Sequence, residues 1–127
     1  MLSQYAAIWA AIILVAVLVF QLLLAAGLPL GRAAWGGRHT TLPAKLRLGS
    51  LVAAIILAVA VSVVLTRAGW IEMSVDASVI RIATWGFAGF FLLNTLGNVA
   101  SKSLLERNVM TPVTLVLALC FLTVALR

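Results

Sequence analysis

Few side chains in this sequence could do chemistry, and the most deeply placed of them are neutral amides. Gln21, Asn94 and Asn98 stand inside long apolar runs, whereas the carboxylates and the histidine lie between those runs. An amide in hydrocarbon finds no water, so it needs a partner on another segment. Asn94 and Asn98 are one helical turn apart, and Gln21 enters at a similar depth from the first run. The three are expected to form one interhelical polar cluster, with Ser50 or Thr111 as further members. Two uses fit such a cluster. It is adhesion between helices, worth about 0.6 kcal/mol per hydrogen bond, or it is a neutral site for a solute or a lipid head group.

Cations supply the second candidate. Arg32, Arg38, Lys45 and Arg47 surround the stretch Trp35-Gly36-Gly37. Backbone N–H groups of paired glycines can cradle a phosphate. The competing reading is a tight turn whose Trp35 anchors at the membrane interface and whose cations meet anionic lipid.

Other chemistries lack their residues. Glu72, Asp76 and Glu106 all fall in connections, where burial cannot tune them for acid–base work or proton-coupled transport. His39 is the single histidine and Cys120 the single cysteine, which is too small a ligand set for a metal or a haem and allows no intrachain disulfide. No enzyme and no cofactor are expected. Lys102 and Glu106, at i and i+4, read as a surface ion pair.

The elements that must position these groups follow from composition. Of 127 residues, 65% are hydrophobic and 9% charged, and a soluble domain of that length needs more polar surface. A spanning helix takes roughly 20 apolar residues, and four such runs nearly exhaust the chain. They are expected at about 5–28, 46–66, 79–100 and 109–126, bounded by Pro29 and Gly31, Pro43, Arg67 to Asp76, and Ser101 to Asn108. The first is too long for a signal-peptide core and reads as a retained helix. The fold class is all-α: a single membrane bundle of four antiparallel transmembrane helices.

Net charge is +6. Because the cations lie between apolar runs, membrane insertion explains them better than a nucleic-acid partner does. Arg32, Arg38, Lys45, Arg47, Lys102 and Arg107 fall on one side, against Arg67, Arg81 and Arg127 on the other. The positive-inside rule puts the richer side in the cytoplasm and both termini outside, with Tyr5, Trp9, Trp70 and Trp85 near the outer interface. Within helices, Ser50, Ala54, Ala58 and Ser62 form a row of small residues suited to close packing inside the monomer or across a dimer. Gly86, Gly89, Phe90, Leu93, Asn94, Gly97, Asn98 and Ser101 share one face of the third helix, expected to point inward.

Two stretches carry a resemblance. One is Leu28-Pro29-Leu30-Gly31, Trp35-Gly36-Gly37, Leu42-Pro43 and Leu46-Arg47. The other is Asn94-Thr95-Leu96-Gly97-Asn98, Ser101-Lys102-Ser103, Glu106-Arg107 and Met110-Thr111-Pro112. Together they resemble a group of small, uncharacterised bacterial four-helix membrane proteins, which implies a bacterial inner-membrane location and no particular activity. Small multidrug transporters carry a glutamate in their first helix, where this chain has Gln21. The first expectation for function is a non-catalytic accessory subunit or interaction partner of another membrane component. The second is a dimeric small-solute channel or carrier lined by Gln21, Asn94 and Asn98. The third is binding of an anionic lipid or isoprenoid at the basic face. Expected partners are the lipid bilayer, and another membrane protein or a second copy.

Overall fold

In a computed structural model describing residues 1–127, the chain is helical with no strands. Helix α1 spans Leu2–Ala25, α2 Ala44–Arg67, α3 Ala77–Val99 and α4 Thr111–Ala125, the last preceded by a wide turn over Glu106–Met110. All four are long and apolar enough to cross a membrane once that turn is counted with α4. The architecture is that of a multi-pass membrane protein.

Its interior is small and its exterior large, the inverse of a water-soluble bundle. The main core joins Ala7, Ala10 and Leu14 of α1, Leu57, Ala60 and Val64 of α2, Ala88 and Phe91 of α3, and Leu117, Ala118 and Phe121 of α4. Ile12, Val52, Ile55, Ile82, Leu92, Leu96 and Leu119 point outward. Without a hydrophobic drive between helices in lipid, alanine lets backbones approach and gain dispersion contacts. The aromatic rings of Phe91 and Phe121 meet at 5.3 Å and fill what alanine leaves open.

Several boundaries differ from expectation for local reasons. Asp76 caps α3 by accepting from the Ser78 N–H at 2.8 Å, which starts the helix at Ala77. Helical structure before α4 begins earlier than Val109. Pro112 has no N–H, and its ring would collide with the carbonyl four residues back in a regular helix. The Glu106–Met110 turn is widened instead, and the Thr111 N–H donates to Glu106 O.

Two faces are corrected. On α3 the buried positions are Ile80, Thr84, Ala88, Phe91 and Thr95, so Gly86, Gly89 and Gly97 face outward. A Cβ added at any of these three would meet nothing within 4 Å. Apolar bulk, with hydroxyls that bond back to their own helix, outcompetes the glycine face for the interior: Thr84 Oγ1 donates to Ile80 O at 2.7 Å. On α2, Ser50 and Ala54 are buried but Ala58 is exposed. A strict four-residue step drifts about 40° per step around a 3.6-residue helix, so the buried stripe moves on to Leu57, Ala60 and Val64.

At one end of the bundle the connection between α1 and α2 folds over that between α3 and α4. The Ser103 hydroxyl donates to Arg32 O at 2.6 Å, and the Gly36 N–H donates to Glu106 Oε1 at 2.6 Å. At the other end Arg67 Nη2 donates to Arg127 O at 2.7 Å, and Trp70 Nε1 to Gln4 O at 3.1 Å. The first of these is the basic end.

Candidate binding cavity at the basic end

Helix α1 packs closely on α2 and α4, and α3 on α4, while the seam between α2 and α3 is looser. Toward the basic end that seam opens into a cavity of about 370 Å³. Pockets of about 300–1,000 Å³ suit small organic ligands. Val17, Phe20, Ile56, Leu57, Phe90 and Leu117 supply apolar walls, and Gln21, Asn94, Asn98 and Thr114 supply polar atoms. Ile56, Phe90 and Asn94 are also exposed, so the cavity opens sideways between α2 and α3.

Trp35 and Glu106 line the end nearest the connections. Trp35 is held in place by its indole Nε1, which donates to Ser50 Oγ at 3.0 Å. Its ring lies over Gly49, where an added Cβ would stand 2.9 Å from it. Trp35 also takes a left-handed backbone, φ 52°, uncommon for a bulky side chain and costing of order 1 kcal/mol or more. The ring is thus held against α2 at the rim of the cavity.

The expected amide cluster is partly realised. Gln21, Asn94 and Asn98 do line one cavity, but they do not bond to each other. Asn94 Nδ2 donates to Phe90 O of its own helix at 2.8 Å. Asn98 Nδ2 donates to Thr114 Oγ1 at 3.3 Å, and Thr95 Oγ1 lies 3.0 Å from the same oxygen. The polar seam therefore joins α3 to α4 through Thr95, Asn98 and Thr114, instead of joining α3 to α1. Ser50 and Thr111 are not members: one accepts from Trp35, the other donates to Glu106 O at 3.4 Å. Gln21 is left over. Its Oε1 is buried and has no hydrogen-bond partner.

No family model matches this chain, and no curated protein or solved structure is similar to it. What the site can do rests on its own geometry.

In the glycine pair Gly36-Gly37 the Gly36 N–H does meet an anion, but an internal carboxylate rather than a phosphate. Glu106 supplies it, in place of an ion pair with Lys102. Both glycines have positive φ, 80° and 72°, and a Cβ on Gly37 would stand 2.8 Å from Ser103 Cβ.

The four candidate head-group cations separate. Arg47 Nε donates to Ala25 O at 2.9 Å, closing the C-terminal end of α1, where a cation also suits the helix dipole. Lys45 is exposed in the first turn of α2 and lines neither of the two cationic hollows described below. Arg32 and Arg38 remain, and Lys102 joins them. Arg38 and Lys102 line a hollow with Gly36, Gly97, Ser101 and Glu106, and the same two cations line a second with Arg32 and Ser103. Lys102 was missed because its spacing to Glu106 suggested an ion pair. The signal available was that Glu106 could serve a glycine N–H as well as a lysine.

Proposed function

We propose that this chain is a non-catalytic, multi-pass protein of the bacterial cytoplasmic membrane that binds an amphiphilic molecule between α2 and α3. The observation that carries the reading is the cavity itself, whose apolar walls also carry the Gln21, Asn94 and Asn98 amides and the Thr114 hydroxyl, with Gln21 Oε1 buried behind them without a donor. Buried polar atoms are normally satisfied, and leaving one bare costs about 1–3 kcal/mol. An amphiphile, with an apolar body and a polar group at this depth, matches walls of that mixture. The sideways opening past Ile56 and Phe90 gives such a molecule entry from the bilayer.

Native mass spectrometry of the protein released from mild detergent tests this. A lipid-sized adduct is expected on the unaltered protein. It should be lost from Ala53→Phe, which fills the cavity wall, while the variant keeps its helical circular dichroism. An unaltered protein free of adduct, or an adduct indifferent to Ala53→Phe, refutes the reading.

A second reading, the accessory subunit, is favoured by the outward glycine face of α3. Gly86, Gly89 and Gly97 leave room for another helix backbone. Affinity purification in mild detergent tests it. A partner recovered with the unaltered protein and lost from Gly89→Leu supports it, and recovery of the chain always alone refutes it. A solute channel has less support, because Phe91 and Leu117 line the cavity's inner end and Phe121 fills the core beyond them, at 2%, 1% and 0% exposure.

A further inference from the structure

The cavity and the cationic hollow beside it have one side chain in common. Glu106 lines both, with its carboxylate held by the Gly36 N–H. On one side are apolar walls with the Gln21, Asn94 and Asn98 amides. On the other are Arg38 and Lys102, with Arg32 adjoining. A molecule that filled both would have an apolar chain, a polar group near the junction, and an anionic end.

The size of the anionic charge follows from the residues that face it. In the hollow beside the cavity Arg38 and Lys102 stand against one carboxylate, Glu106, an excess of one positive charge, and Arg32 adds a further cation from the adjoining hollow. A phosphate monoester carries about −1.5 to −2 near neutral pH. A phosphodiester or a fatty-acid carboxylate carries half of that or little more. Arg32 Nε is already drawn to Thr40 Oγ1 at 3.3 Å, while no protein group holds Arg38 or Lys102 by a hydrogen bond. Those two are the free donors, and guanidinium is well matched to phosphate oxygens.

The cavity limits the other end. At about 370 Å³ it holds the bulk of one hydrocarbon chain, and a second chain would have to lie outside it, in the sideways opening. Depth agrees: Gln21 is four residues from the end of α1, about 6 Å below it at 1.5 Å per residue, and the cations lie in the connections beyond. That is the spacing of a polar linker between a chain and a terminal phosphate.

We propose that the ligand is a single-chain lipid ending in a phosphate monoester, its chain in the cavity and its phosphate on Arg38 and Lys102. This rests on the cavity reading above and adds the head group to it. Binding in neutral nanodiscs tests it with three probes: a monoacylglycerol phosphate, the uncharged monoacylglycerol of the same chain, and inorganic phosphate alone. The expected result is that the monoester binds at least tenfold more tightly than the uncharged lipid, and that inorganic phosphate competes weakly. The double variant Arg38→Gln, Lys102→Gln should abolish that preference and retain binding of the uncharged lipid. The double variant Lys45→Gln, Arg107→Gln removes two cations at the same end and should leave the preference intact.

The outcomes separate the two claims. Equal binding of both lipids overturns the phosphate site while the cavity reading stands. Equal loss of preference in both double variants also overturns it, because the attraction is then to general surface charge. Binding of inorganic phosphate as tight as the lipid overturns the lipid identity. No binding of any lipid overturns both claims.

Discussion

A bare oxygen and a crowded glycine are felt one side chain at a time. Gln21 Oε1 has no donor, so Gln21→Leu should stabilise the empty protein by up to about 1–3 kcal/mol. The same change should weaken capture of the amphiphile, so stability and binding move in opposite directions. Unfolding in mixed detergent micelles, run with and without lipid, reads both; a destabilised Gln21→Leu would show that an internal partner satisfies the amide. Glycines divide by what surrounds them. Gly31 is buried, its N–H donates to Thr40 O at 2.8 Å, and a Cβ there would run into His39 O and stand 2.9 Å from Thr40 O. Backbone atoms cannot swing aside, so Gly31→Ala should cost about 1–3 kcal/mol by overpacking. Gly86→Ala meets open space and should be neutral or stabilising by up to about 1 kcal/mol through helix propensity. A comparison of the two unfolding midpoints checks the contrast.

The start of α3 offers a pH-dependent element. The Ser78 hydroxyl and then its backbone N–H, both bonded to Asp76, hold that carboxyl below its ordinary value of 3.8. A lowered folded pKa means the cap is fully present above pH 3.8 and is lost as pH falls through the lower folded value. Protection of the Ser78 amide from hydrogen exchange should therefore stay flat down to the ordinary value and fall below it. Asp76→Asn should keep protection and lose the pH dependence, since asparagine caps without titrating, and Asp76→Ala should lose protection throughout. Element existence was legible in the sequence because 20-residue apolar runs leave little choice, as Leu2–Ala25 and Ala44–Arg67 illustrate. Element facing was less legible. Asn94 and the glycines suggested an inward polar face on α3, but Thr84 and Thr95 satisfy their hydroxyls within the helix and can be buried beside Ala88 and Phe91. The site was half legible for the same reason. Its amides were identifiable by their apolar surroundings, whereas Trp35 on Ser50 and Glu106 on Gly36 depend on contacts across 15 and 70 residues that no local pattern announces.

Across the whole molecule, the two ends differ in charge and in how they are closed. The basic end carries Arg32, Arg38, Lys45, Arg47, Lys102 and Arg107; the other carries Arg67, Arg81 and Arg127. Cations on short connections resist translocation, so the first end is expected in the cytoplasm with both termini outside. Fold and orientation are separable here, because the hydrogen bonds that join Arg32 and Gly36 to Ser103 and Glu106 form whichever way the bundle inserts. Charge on the connections alone decides. In a Cys120→Ala background, His39→Cys should be shielded from a membrane-impermeant thiol reagent in intact cells and labelled once the cells are opened. Met73→Cys, exposed in the connection between α2 and α3, should label in intact cells. Comparable labelling of both before lysis would mean insertion in two orientations, and the reverse pattern would put the phosphate-binding cations on the outer leaflet. Neutralising Lys45 and Arg107 together leaves four cations at the basic end, so the bias narrows and a fraction of Met73→Cys should become shielded. A lipid site at this end would then be presented to both leaflets, which ties the charge asymmetry of the connections to the membrane face from which a ligand is drawn.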